Sequence, residues 1–160
     1  MPGVGLLLLM SGKILYHWSD AWLLLAIVYA SRTGHASLDK IIAAGDAINH
    51  AIFTPSELES GLARLLAGGY IERKVAVYSP CLKSFAYRKS RRKGRAMLSE
   101  LKDVAAMLRT RDALAEQPAS NKWDCPGFSI AAYEEAVEKY RRAFPSAIDL
   151  VSRNPTKPCS

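Results

Sequence analysis

Nine cations stand between positions 73 and 95 with no acid among them: Arg73, Lys74, Lys83, Arg88, Lys89, Arg91, Arg92, Lys93 and Arg95. Side chains of this kind at this density suit electrostatic work, the gripping of phosphate oxygens through charge-assisted hydrogen bonds. The 160-residue chain holds 22 Lys+Arg against 15 Asp+Glu, a formal charge of +7. Outside the segment, 13 basic residues face 15 acidic ones, so the body is −2 and the segment alone is +9. The plainer reading of such a run is a solvated basic face, and the elements around it must discriminate.

Other reactive side chains form weaker patterns. There is no GxxxxGK[ST] loop, no HExxH helix and no GxSxG elbow. Asp46 and His50 are spaced to meet on one helix face, where a carboxylate can orient an imidazole; a structural hydrogen bond is the simpler reading. His17, His35 and His50, with Cys81, Cys125 and Cys159, lack the paired spacing of zinc sites. Cys81, beside the basic residues, is a candidate low-pKa thiol, its simpler reading being an ordinary cysteine. The expectation is a protein that is not an enzyme, with no catalytic residue, metal or cofactor. Scattered, odd-numbered cysteines suit a reducing compartment, and a cytoplasmic location is expected.

A composition of 49% hydrophobic and 23% charged residues excludes collagen, wholesale disorder and a disulfide scaffold. Residues 1–18 form an apolar leader without the basic start or cleavage site of a signal peptide. Met10 offers a second candidate start. Lys13, His17 and Asp20 interrupt the leader. The next apolar run, Ala21 to Ala30, is ten residues long, half of the roughly 20 that a membrane span needs. No membrane partner is expected.

The elements that must position the cations follow from periodicity and caps. Ser19 is a candidate N-cap and Asp20 suits the positive end of a helix that is apolar nearly all round. Trp18, Trp22 and Trp123 are expected to pack the core. Ser37 caps a second helix from Leu38 to about His50, with Gly45 as its weak point. Thr54-Pro55-Ser56-Glu57 is a capping box with proline at the first helical position, and Phe53 is placed to staple against Leu58. Gly68-Gly69 stops that third helix. Tyr70 to Tyr78 and Ser84 to Arg88 then read as two strands of a hairpin with its loop near Ser79 to Lys83. Ser90 caps a long helix to about Ala115. Residues 116–128 read as a linker, residues 129–151 as a C-terminal helical segment, and residues 152–160 as a disordered tail. Glu135–Lys139 and Glu138–Arg142 are supportive pairs on that last helix.

The order helix, helix, capped helix, Gly-Gly stop, hairpin, long helix defines an α+β, mainly helical domain over residues 19–115. The stretch Glu57-Leu58-Glu59-Ser60-Gly61-Leu62-Ala63-Arg64-Leu65-Leu66-Ala67-Gly68-Gly69-Tyr70-Ile71 resembles the third helix and first wing strand of winged helix-turn-helix proteins. Lys93-Gly94-Arg95-Ala96-Met97-Leu98 is similar to the Gly-Arg-x-x-Leu opening of their next helix. The resemblance is to MarR- and PadR-like bacterial transcriptional regulators and covers about Ser19 to Leu108. It implies a third helix in the major groove of double-stranded DNA, a wing along the backbone, and a homodimer built through terminal helices.

On that reading Lys83, Arg88, Lys89, Arg91, Arg92, Lys93 and Arg95 contact phosphates, while Ser56, Glu59, Ser60 and Arg64 lie near bases. Cations crowding the first turns of a helix after Ser90 would oppose its dipole, which a phosphate would reverse. Met97, Leu101, Val104 and Leu108 recur as a short heptad-like seam, a dimerisation candidate whose alternative is packing within the domain. The stripe Tyr133, Tyr140 and Phe144 could line an effector pocket, the effector being unknown. The competing function is a winged-helix protein-interaction module that does not bind DNA: the third helix is acidic and departs from a typical reader of bases.

Overall fold

The stretch after Trp18 has no polar face to offer water, and it becomes the axis around which the other helices pack. The computed structural model describes residues 14–90, 96–110 and 123–145. Helix α1 (Trp18–Ala30) buries every side chain from Asp20 to Val28. It contacts α2 (Leu38–Asn49), α3 (Pro55–Ala67) and α4 (Met97–Thr110). Its cap is His17 rather than Ser19, because Asp20 reaches back to accept the His17 backbone N–H at 2.7 Å.

Trp22 anchors the α1–α2 contact. Its indole N–H donates to the Gly45 carbonyl at 2.9 Å, and its ring stacks on Phe53 with centroids 3.7 Å apart. A Cβ at position 45 would fall 2.3 Å from Phe53 Cε2. The glycine read as a helix weakness is therefore a point of close approach. Gly45→Ala gains about 1 kcal/mol of helix propensity and meets an overpacking cost of about 1–3 kcal/mol. Since the Phe53 ring is fully buried, the variant is expected to be less stable in urea melts. A higher midpoint would show that the ring can yield.

Helix α3 starts as its sequence dictates. The Glu57 N–H donates to Thr54 Oγ1 at 3.2 Å, and the Thr54 N–H donates to Glu57 Oε2 at 2.9 Å. Leu58, Leu62 and Leu65 are fully buried. Gly69 takes a positive φ of 71° and turns the chain into the sheet.

The sheet is antiparallel, in the order β1-β3-β2, with β1 Ala36–Ser37, β2 Ile71–Lys74 and β3 Val77–Pro80. Lys74 pairs with Val77 and Ile71 with Pro80, so the hairpin turns at Val75–Ala76. The expected loop at Ser79 to Lys83 is corrected: those residues end β3 and begin a 3-10 helix, Leu82–Ser90, which replaces the expected strand Ser84 to Arg88. Val75 holds φ at 55° and is 90% exposed. A left-handed conformation costs a non-glycine residue roughly 1–2 kcal/mol, and a β-branched side chain is the least suited to it. Val75→Gly removes no packing and is expected to stabilise the protein by about 1 kcal/mol, after allowance for the freer unfolded chain. An unchanged urea midpoint would rule out strain at this turn.

Helix α4 begins at Met97, not after Ser90. Leu101, Val104 and Leu108 lie in the main core with α1. Helix α5 (Ile130–Ala143) is capped by Ser129, whose Oγ accepts the Ala132 N–H at 3.1 Å. It packs chiefly on α2, where Ile42, Ala136 and Val137 form a second small core. Residues 123–128 are not a free linker. Cys125 is buried, Trp123 and Phe128 pack on the core, and the Arg73 guanidinium donates to the carbonyls of Pro126 and Gly127. Trp18, expected in the core, is exposed. No helix among the described residues is long and apolar enough to cross a membrane.

Candidate nucleic-acid interface

Four cations of the basic segment have contacts among the described residues. Arg73 is tied to the Pro126–Gly127 turn, and Lys74 lies 3.6 Å from Glu72 on the exposed hairpin. Lys83 turns inward: its ammonium donates to the Gly68 carbonyl at 2.7 Å and sits 4.3 Å above the Tyr70 ring. Lys83 thus fastens the 3-10 helix to the end of α3 and is corrected as a phosphate contact. Arg88 lies with its guanidinium 4.6 Å over the Phe85 ring. The Lys89 side chain and Arg91, Arg92, Lys93 and Arg95 lie outside the described residues. Because α4 starts at Met97, these cations precede its first turn rather than lying within it as the sequence suggests.

The exposed side of α3 presents Ser56, with Glu57, Glu59 and Ser60 half-buried. Ser60 Oγ donates to the Ser56 carbonyl one turn back. Glu57 is committed to the capping box, leaving Ser56 and Glu59 as the polar groups best placed to meet a partner.

Arg64 is a correction of the largest kind. It is buried, and its guanidinium forms a two-point pair with Asp20: Nε to Oδ2 and Nη2 to Oδ1, both 2.8 Å. Asp20 is wholly excluded from solvent. Arg64 falls on the same stripe as Gly61 and Leu65, which faces α1, so it cannot read bases. The only cation of α3 is withdrawn into the core.

The dimer seam is likewise consumed. Leu101, Val104 and Leu108 are within their own chain's core, and only Met97 reaches the surface, at 39% exposure. Between α4, α1 and the 3-10 helix, Glu100 is buried and accepts from Tyr29 at 2.6 Å and Tyr87 at 3.0 Å.

No family model, curated protein or solved structure matches this chain.

The remaining candidates find ordinary partners. Asp46 accepts the Tyr140 hydroxyl, a bond that, with burial, pushes the phenol up to about 12. His50 instead takes a left-handed conformation as the end of α2. Burial, with Glu72 nearby, raises the Cys81 thiol, the reverse of an activated nucleophile. Among the described residues no group of three or more His, Cys, Asp or Glu is placed to hold a metal ion.

Of the aromatic stripe, Tyr133 donates to the Phe53 carbonyl at 2.7 Å. Tyr140 and Phe144 line a cleft of about 300 Å³ between α1, α2 and α5. Lys139 crosses this junction to Asp39 at 3.0 Å rather than pairing with Glu135. Burial alone would raise the Asp39 carboxyl, but the Ser37 hydroxyl and Lys139 outweigh it and hold it below its usual range. Arg142 and Glu138 do pair, at 3.8 Å.

Sequence reasoning missed a second polar group altogether. Arg32 and His35, after α1, line an open cleft together with Ser79 and Arg88. The signal was faint, an arginine and a histidine around a Thr-Gly break.

Proposed function

We propose that this protein is a winged-helix protein that grips double-stranded DNA and serves as a cytoplasmic bacterial transcriptional regulator, acting by binding rather than by catalysis. The observation that carries the reading is the chain order α1-β1-α2-α3-β2-β3-α4 wrapped on the sheet order β1-β3-β2, with the +9 segment running through and beyond the hairpin. Affinity on this reading comes from phosphate contacts by Arg88, Lys89, Arg91, Arg92, Lys93 and Arg95. Ser56, Glu59 and Ser60 stand nearest the bases, Glu59 as an acceptor for a cytosine amino group.

Fluorescence anisotropy of a labelled random-sequence duplex, across a salt series, tests the proposal. Tight binding at low salt that weakens steeply as salt rises is expected. Absence of binding at low salt, or binding indifferent to salt, would reject it. A protein-interaction module is the second reading, and the burial of Arg64 favours it: the α3 surface offers serines and carboxylates and no cation.

A further inference from the structure

Beyond the α1 C-terminus lies a cleft of about 570 Å³ between the turn at residues 31–35, the end of β3 and the 3-10 helix. Its volume is that of a small-molecule site. Two guanidiniums edge it. That of Arg32 lies 4.0 Å from the Tyr29 ring centroid, and that of Arg88 lies 4.6 Å from the centroid of Phe85. Arg88 Nε also reaches the Tyr87 hydroxyl at 3.5 Å, so its terminal N–H groups, with those of Arg32, are the donors that suit an oxyanion. His35 and Ser79 add polar atoms on the same wall, their Nδ1 and Oγ 3.4 Å apart.

Among the described residues no carboxylate lines the cleft. Nor does an ion pair with an acid engage Arg32 or Arg88 among the described residues. The buried Glu100 carboxylate is held by Tyr29 and Tyr87. The α1 C-terminus itself disfavours an anion. There, however, the Ile27 carbonyl is already capped by the Ser31 hydroxyl at 2.6 Å, and Arg32 follows directly. The rest of the wall is apolar, from Val28, Pro80 and Phe85.

The register separates this cleft from the hairpin tip. Ser37 and Lys74 flank Val77 beside the turn, whereas Ser79 and Pro80 close the far end of β3.

We infer that this cleft binds a small aromatic molecule carrying a phosphate monoester, the ring against Phe85 and Pro80 and the phosphate between Arg32 and Arg88. The inference does not rest on DNA binding. Isothermal titration of the full chain with phenyl phosphate, with phenol and inorganic phosphate as controls, tests it. Saturable binding of phenyl phosphate is expected, with both controls weaker by at least about tenfold. Arg32→Gln combined with Arg88→Gln should weaken binding at least about tenfold. Arg32→Gln alone, at an exposed position that leaves the fold intact, should weaken it several-fold. Arg91→Ala with Arg92→Ala should leave it unchanged. The inference is overturned by no saturable binding at millimolar phenyl phosphate or by undiminished binding in the folded Arg32→Gln variant. An equal loss in the Arg91 and Arg92 variant would also overturn it, since diffuse charge would then account for the binding.

Discussion

Arg64→Ala is expected to lower the unfolding free energy by about 3–5 kcal/mol, because it strands a buried carboxylate whose one ion-pair partner among the described residues is Arg64. Asp20 is inaccessible to water and already accepts the His17 N–H, so its charge cannot swing outward to solvent. A loss of that size is a large part of the roughly 5–15 kcal/mol that holds a domain folded. Arg64→Lys should recover only part of it, since an ammonium cannot make the parallel two-point bond. Replacing both partners with apolar residues should cost less than removing Arg64 alone. Urea denaturation followed by circular dichroism gives all three values. A loss below about 1 kcal/mol for Arg64→Ala would mean the pair behaves like a surface bridge.

The second large effect concerns salt. If five of the cations from Arg88 to Arg95 neutralise phosphates, the slope of log affinity against log salt is about −4.5. A rise from 50 to 200 mM salt then weakens duplex binding by roughly 500-fold. Removing two of the five, by Arg91→Ala and Arg92→Ala, should relax the slope to about −2.7 and weaken binding alike across sequences. Anisotropy titrations at four salt concentrations resolve the difference. A slope unaltered by the double substitution would place the phosphates elsewhere on the surface.

The helices were legible because their signals are local. Thr54-Pro55-Ser56-Glu57 closes hydrogen bonds within one turn, and the fully apolar face of α1 admits no environment but a core. The hairpin was misplaced because Ser79-Pro80 carries the standard marks of a turn, while Lys74-Val75-Ala76-Val77 carries none. What puts the reversal at Val75 is pairing of β3 with β1 on its other edge, a non-local constraint. Arg64 was assigned outward on charge alone. Its stripe, shared with Gly61 and Leu65, pointed inward, but the partner that makes burial tolerable lies 44 positions away in α1. The seam of α4 was correctly apolar, and only tertiary packing could decide that it faces α1 rather than a second copy.

Helix α5 buries just Ala136 and Val137 and is fastened to the remainder by a few polar contacts, those of Tyr133, Lys139 and Tyr140 among them. Opening it exposes little apolar surface, whereas opening α1 exposes the whole core. The two helices should therefore differ in amide hydrogen exchange. Amides of α1 should exchange only through global unfolding, and those of α5 through a cheaper sub-global opening that leaves the sheet and the other helices closed.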